Sequence, residues 1–322
     1  MPVPIGNTLG IFADNIVRRK SILPLSVKSI THWSNDFSLP YGGSTILYTG
    51  QMYQLIPFIN SMSHQLGKFE DSWITRFFGM GRFFNKMVNL TKFMAFPSRN
   101  EKVAYNQPIR NVVNCLHKAG VEFGYLYEHD YYSGALAYDE GLDEAFEKHA
   151  KFVYKVWKDH HVETLITIDP HSTNIVRSIY PQFIKGFDIE VKNYMEILAE
   201  NPPPVVQPLH ETVTIHDPCL YARSEHILEQ PRTLLRTIGI DVQEAELSGA
   251  LANCCGGPLE SLFPKKSTLI AKKRADQLFD CASTIITSCP ICMANLKRVI
   301  PATHSVHDIS EYFVQAYCPD CL

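Results

Sequence analysis

Five of the nine cysteines fall in one pattern. Cys219 is followed, after 34 residues, by Cys254-Cys255-Gly256-Gly257, and 33 residues separate Cys255 from Cys289-Pro290-Ile291-Cys292. Thiolates are soft ligands that suit zinc and iron–sulfur clusters. Adjacent cysteines make a strained mutual disulfide, and five thiols exceed the four that a tetrahedral zinc takes. The surplus favours a centre with several irons; a zinc site, or buried cysteines with no common partner, is the competing reading. A second C-x-x-C pair, Cys318 and Cys321, stands at the extreme C-terminus. It reads as a redox dithiol, as an extra metal site or half of one, as ligands shared with a neighbouring subunit, or as a disordered tail. Cys115 and Cys281 read as buried apolar residues.

The elements needed to gather the five thiols are visible in the apolar pattern. A β-branched run at 211–215 leads through His216-Asp217-Pro218 to Cys219. Another at 284–287 leads to Cys289, with a helix expected over 293–299. Gly256-Gly257 lets the backbone turn sharply beside a bulky group. Three strand ends thus offer sulfur to one place, as the carboxyl ends of strands do in an open parallel sheet. Elsewhere the pattern predicts helices over 8–21, 52–65, 107–118, 142–157, 231–237 and 265–280, and strands over 46–49, 121–127 and 240–247. Alternating strands and helices define an α/β fold with parallel sheets.

His216-Asp217-Pro218-Cys219, Cys254-Cys255-Gly256-Gly257 and Cys289-Pro290-Ile291-Cys292 resemble the CCG, or cysteine-rich, domain family. That family includes the cysteine-rich component of heterodisulfide reductase and iron–sulfur subunits of several oxidoreductases. The resemblance implies that Cys219, Cys254, Cys255, Cys289 and Cys292 hold one [4Fe-4S] cluster of the noncubane form. His216 then orients groups near the cluster, or only stiffens its loop. Arg223, which recurs after this motif in the family, places positive charge near an anionic centre, or is an ordinary surface arginine. These two are the candidates for a catalytic role.

With the motif as template, a second copy emerges upstream. The stretch 164–172, containing Asp169-Pro170-His171-Ser172, parallels 284–292. Likewise 191–198 parallels 306–313, Tyr131-Tyr132-Ser133-Gly134 parallels Cys254-Cys255-Gly256-Gly257, and Gln51 stands opposite Cys219. The chain therefore divides into an extension (1–44), a degenerate α/β unit (45–209) and a cluster-binding α/β unit (210–322). Gln51, Tyr131, Tyr132, Asp169 and Ser172 replace the thiolates of the first copy, which should carry no cluster. Its site is either a filled remnant or a polar pocket lined by Tyr131, Tyr132, Asp169 and His171. The first copy also carries a helical insertion at about 63–104. Within it, 73–97 places Phe77, Met80, Phe84 and Met87 on one helical face and Arg82, Lys86 and Lys92 largely on the other. That is the pattern of a basic amphipathic helix docking on a membrane surface or a partner.

Composition bounds the rest. With 45% hydrophobic and 20% charged residues and a net charge of −3, the chain reads as a globular protein and not as a nucleic-acid binder. No signal-peptide pattern or apolar run of membrane-spanning length is expected, and the odd cysteine count argues against a disulfide framework. The expected location is cytoplasmic, with peripheral contact on the inner face of the membrane through 73–97 as an option. No ferredoxin-type cysteine run, flavin motif or glycine-rich nucleotide fingerprint is present. A lone cluster therefore implies a ferredoxin-type iron–sulfur partner and a flavin subunit. Two functions compete. One is a redox subunit of a heterodisulfide-reductase-like complex, passing electrons between such a partner and a thiol/disulfide or sulfur substrate or a quinone-linked chain. The other is a non-catalytic scaffold whose C-terminal unit is closed by zinc.

Overall fold

Thr284-Ile285-Ile286-Thr287 has little choice of conformation. Its β-branched side chains are stiff and favour an extended backbone. It forms the strand β7 (Thr284–Thr287), with both isoleucines fully buried; each contributes roughly 1.5–3 kcal/mol by leaving water. The same logic builds every inner strand of the protein. The computed structural model describes residues 5–69, 85 and 96–321, with the backbone alone for 64–69. The basic amphipathic helix expected over 73–97 lies, apart from Asn85, Phe96 and Pro97, outside the described residues.

The strands form two four-stranded sheets, all parallel. The first contains β1 (Thr45–Tyr48), β2 (Gly124–Tyr125), β3 (Thr164–Thr167) and β4 (Glu190–Asn193), in the order β2-β1-β3-β4. The second contains β5 (Thr212–Ile215), β6 (Asp241–Gln243), β7 and β8 (Ser305–Asp308), in the order β6-β5-β7-β8. The orders are identical, so the chain is an α/β protein of two pseudo-repeated units. The edge strands β2 and β6 are far shorter than the expected 121–127 and 240–247. β6 has a strand on one side only, and β2 has β1 on one side and a lone bridge, Tyr41 with Tyr125, on the other; each persists only where its one full neighbour runs beside it.

The repeat extends to the joints. β4 and β8 each end in a residue that caps the next helix: Asn193 with Glu196, and Asp308 with Glu311, both forming capping boxes. These two caps are also where the units clasp each other. Tyr53, two residues after Gln51, donates its hydroxyl to Asp308 Oδ2 at 2.6 Å. Tyr221, two residues after Cys219, accepts from Asn193 Nδ2 at 2.6 Å. Each unit thus inserts one tyrosine into the other's cap, a pseudo-twofold arrangement. The helices Arg99–Lys118 and Ile309–Tyr317 also pack across this junction. The expected N-terminal extension is no appendage: Phe12, Ile16, Ile22, Leu23 and Trp33 belong to the buried core.

Candidate metal centre

The second sheet delivers the cysteines. β5 runs into His216-Asp217-Pro218-Cys219, and a single π-turn over Tyr221–Glu225 follows, a backbone irregularity that often marks function. Asp217 secures this loop. Its two oxygens accept from both terminal nitrogens of Arg232 at 2.8 and 3.0 Å, and Oδ2 also accepts from Gly249 N at 2.6 Å. The bidentate pair ties the Cys219 loop to the helix Glu229–Thr237, and the Gly249 bond ties it to the segment leading into Cys254. Arg223 is exposed and donates to the carbonyls of Ala250 and Ala252, so it braces the same segment from outside.

β7 leads through Ser288 to Cys289, which caps the helix Pro290–Lys297; its Sγ accepts from Cys292 N at 3.5 Å. The helix begins three residues earlier than the expected 293–299, so Cys292 sits on its first turn. Between these arms, Gly256 adopts φ +82° and lies against the helix Pro264–Phe279, where Ser267 Oγ donates to Gly256 O at 2.8 Å.

The result is one pocket lined by all five cysteines of the motif together with Pro170, His171, Pro218, Leu220, Gly257, Pro258 and Ile291. Sulfur contacts run as a chain: Cys219 to Cys254, Cys254 to Cys255, Cys255 to Cys292 and Cys292 to Cys289. The Cys255–Cys292 sulfur separation is 3.2 Å. Hydrogen bonding to Cys254, burial and neighbouring sulfurs push Cys219 and Cys255 well above the usual thiol range, while Cys254, which receives those bonds, is pushed far below it. Burial would raise Cys289, but hydrogen bonds from Cys292 and His171 bring it down to about 5. Sulfurs this crowded cannot all ionise unless a cation compensates them. Soft donors, in surplus over a tetrahedral set, around one enclosed spot fit a multi-iron group better than a single zinc.

Two histidines stand close to the sulfurs, His171 in the pocket wall and His216 outside it. His216 is buried; its Nδ1 accepts from Arg274 Nε at 3.1 Å, and a ring nitrogen lies within 4.8 Å of the Cys255 and Cys292 sulfurs. Burial and the Arg274 charge push it down to about 3. His171 was expected among the residues of the vacated first site. The structure places it instead in the cysteine pocket, beside Cys289 and 3.4 Å from Asp139 Oδ2. It occupies the position in the first repeat that Ile291 holds in the second, and both line the pocket. Burial would lower its affinity for a proton, but Asp139 and Cys289 raise it well above the ordinary imidazole value.

The vacated site is lined by buried side chains that bond to one another and to the backbone. Thr49 Oγ1 donates to Asp130 Oδ2 at 2.5 Å, Gln51 Nε2 to Asp130 O at 2.6 Å, and Tyr48 OH to Tyr131 O at 2.9 Å. Asp169 caps the helix Pro170–Asn174, and a Cβ on Gly50 would fall 2.0 Å from Ser172 Oγ. Side chains occupy this half of the repeat, with Gln51 Oε1, Asp169 Oδ2 and Ser172 Oγ buried and without a hydrogen-bond partner among the described residues.

Of the other cysteines, Cys115 is buried in the core and its thiol is pushed up to about 12 by burial. Cys281 is half-buried, contrary to expectation, because it follows the exposed end of a helix. Cys318 and Cys321 are joined as a disulfide, the oxidised form of the C-x-x-C pair. Their tail is also ordered, as a 3-10 turn over Pro319–Cys321.

Sequence reasoning missed Arg274. The signal was present: it is the one charge on the inward stripe Ser267, Ala271, Arg274, Ala275 and Leu278.

A doubled α/β frame that gathers thiols at strand ends defines a redox metalloprotein of the iron–sulfur kind. Residues 213–297 match the CCG cysteine-rich domain. The chain is 29% identical over 245 residues to the probable iron-sulfur-binding oxidoreductase FadF of Bacillus subtilis, covering 73% of this chain and 33% of that protein. It is 30% identical over 224 residues to the EtfAB:quinone oxidoreductase of Syntrophomonas wolfei, covering 64% and 31%. It is 24% identical over 220 residues to one component of the dihydromethanophenazine:CoB--CoM heterodisulfide reductase of Methanosarcina barkeri, covering 62% and 53%. The chain spans about a third of the length of the first two of these relatives. It is thus related to iron–sulfur oxidoreductases and their subunits. No helix among the described residues is long and apolar enough to cross a membrane.

Proposed function

We propose that this chain is the cysteine-rich electron-relay unit of an iron–sulfur oxidoreductase, with Cys219, Cys254, Cys255, Cys289 and Cys292 holding a single [4Fe-4S] group of the noncubane form. The observation that carries this reading is the convergence of those five sulfurs, from three separate arms, on one pocket. When bound, such a group supplies reversible one-electron transfer. The chain's own residues do the rest. Asp217, held by Arg232, accepts from Gly249 N and so fixes the Cys219 and Cys254 arms relative to each other. Pro170, Pro218, Pro258 and Ile291 keep water from the sulfurs.

Relay, rather than disulfide cleavage, is favoured by the filled first half, which leaves no second thiolate site to share a two-electron reaction. Cys254 is the one exposed residue of the five, so electrons enter or leave along its edge. The neighbouring helix Pro264–Phe279 exposes Lys265, Lys266, Lys272 and Lys273, a surface suited to an acidic iron–sulfur or flavin partner. The far end of the path is a quinone-linked chain, by analogy with the named activity of the Syntrophomonas relative.

Anaerobic purification followed by iron, acid-labile sulfide and zinc analysis tests the proposal. The expected result is about four irons with near-equal sulfide, sharply reduced in Cys255→Ser and Cys289→Ser and unchanged in Cys281→Ser. Stoichiometric zinc without sulfide would establish the scaffold function instead.

A further inference from the structure

Arginine is seldom left fully buried without a carboxylate, because removing its charge from water costs several kcal/mol. Arg274 is 0% exposed. Its Nε donates to His216 Nδ1 at 3.1 Å, and its Nη1 to Leu247 O at 2.8 Å and to Gln277 Oε1 at 3.2 Å. All three acceptors are neutral, and Nη2 is buried with no hydrogen-bond partner among the described residues. The ionisable groups whose field bears on it are Asp217 and the sulfurs of Cys281, Cys292 and Cys255. Two of those sulfurs belong to the pocket.

The contact with His216 has a chemical consequence. A guanidinium has donors only and stays protonated in proteins. The nitrogen it faces, Nδ1, must therefore offer a lone pair. A neutral imidazole carries one N–H, which is then on Nε2. Nε2 of His216 is buried and has no partner among the described residues. With Nδ1 taken by Arg274, it is the nitrogen free to address Cys255 and Cys292, whose sulfurs lie within 4.8 Å of a ring nitrogen of this histidine.

We propose that Arg274 is a positioning residue that locks His216 in the Nε2–H tautomer, making it a hydrogen-bond donor to the Cys255 and Cys292 sulfurs and not a further metal ligand. The cluster of one histidine and two cysteines resembles three ligands of a metal ion, but a nitrogen that carries its proton has no lone pair to give. The inference rests on the reading of the pocket as an iron–sulfur site. There, an N–H donor backed by a fixed positive charge favours the more negative, reduced state and raises the reduction potential.

Nitrogen-15 NMR of histidine-labelled protein, as purified and diamagnetic, reads the tautomer with or without iron. The expected spectrum shows His216 with a bare Nδ1 and a protonated Nε2. Arg274→Met should lose that preference and Arg274→Lys, which keeps a cationic donor, should retain it. A protonated Nδ1 in the unaltered protein overturns the proposal. In the iron-loaded protein in its paramagnetic state, pulsed EPR should show an exchangeable proton near the metal, lost in deuterated water and in His216→Phe, with only weak coupling to the histidine nitrogen. A strong coupling, the mark of a direct bond from nitrogen to iron, overturns it as well. The midpoint potential should fall in Arg274→Met and in His216→Phe, and the double variant should fall no further than His216→Phe. Additive falls would show that Arg274 acts by charge alone and not through the histidine. Absence of iron from the unaltered protein would defeat the reading of the pocket, while the tautomer result would still decide the role of Arg274.

Discussion

The tightest backbone approach around the sulfurs is at Gly256, and adding one methyl group there should damage the metal centre before it damages the fold. Gly256 sits at φ +82°, a conformation that costs an L-residue roughly 1–2 kcal/mol. A Cβ would also stand 2.6 Å from Ser267 O and 3.3 Å from Ile270 Cβ. The first of these atoms is backbone in the helix Pro264–Phe279 and cannot rotate away. Relief must come from the loop, at a cost of roughly 1–3 kcal/mol by comparison with overpacked cores. Gly256→Ala should therefore lose about 2–5 kcal/mol in total, and the displacement falls on Cys254 and Cys255, the two residues just upstream. Gly186→Ala separates the two contributions, since Gly186 has φ +76° but nothing within 4 Å of an added Cβ; it should lose only about 1 kcal/mol. Urea unfolding midpoints and iron content, measured together for both variants, are the assay. A Gly256→Ala protein with the stability of Gly186→Ala and full iron would refute the claim that this close approach holds the cysteine loop in place.

Other outcomes follow from the same structure. Asp130 is fully enclosed, and burial, only partly offset by hydrogen bonds from Thr49 and Tyr125, raises it from 3.8 to about 7. The native state then holds a proton that the unfolded chain releases, so this group's contribution to stability falls as pH rises from about 4 to about 7 and is constant above. Asp130→Asn should remove that slope, gaining on the unaltered protein by up to about 4 kcal/mol between pH 4 and pH 8; urea midpoints at three pH values would show it, and a pH-independent difference would count against it. Lys272→Glu with Lys273→Glu should slow reduction by an acidic electron carrier roughly tenfold at low salt and much less at high salt, with iron content unchanged. A salt-independent rate in the unaltered protein would remove that helix from the docking surface.

Much of this is legible in the residues alone. The run Thr-Ile-Ile-Thr at 284–287 marks its strand to the residue, because stiff side chains and a helix-capping cysteine leave no slack at either end. The repeat is legible because it recurs in motifs and not in overall identity. Boundaries fail where a local cap goes unread or where a neighbouring strand decides them. The helix expected from 107 begins at Arg99, set by the capping box of Ser98 and Glu101, and passes through Pro108. The edge strands shrink because each has only one full strand beside it. At the site, the sulfurs announce themselves by spacing, but His171 and Arg274 do not. Each acts through a contact between elements distant in sequence, and Arg274 betrays itself only as a charge on an apolar stripe.

The asymmetry of the two halves is the physical point that joins these findings. A pseudo-twofold frame brings the same strand ends of both copies toward one junction, as the exchanged tyrosines Tyr53 and Tyr221 show. Where one copy keeps thiolates, the other keeps the frame and fills its own site with Gln51, Tyr132 and Ser172. It still contributes to the surviving pocket, because Pro170 and His171 stand where a second proline and ligand turn would be, and they close the wall beside Cys289. The degenerate unit is thus not inert ballast: without it, Cys289 would lose its His171 partner and face water, and the pocket would be open on one side. A C-terminal unit expressed alone should therefore bind metal more loosely than the whole chain, even though every proposed ligand is present in it.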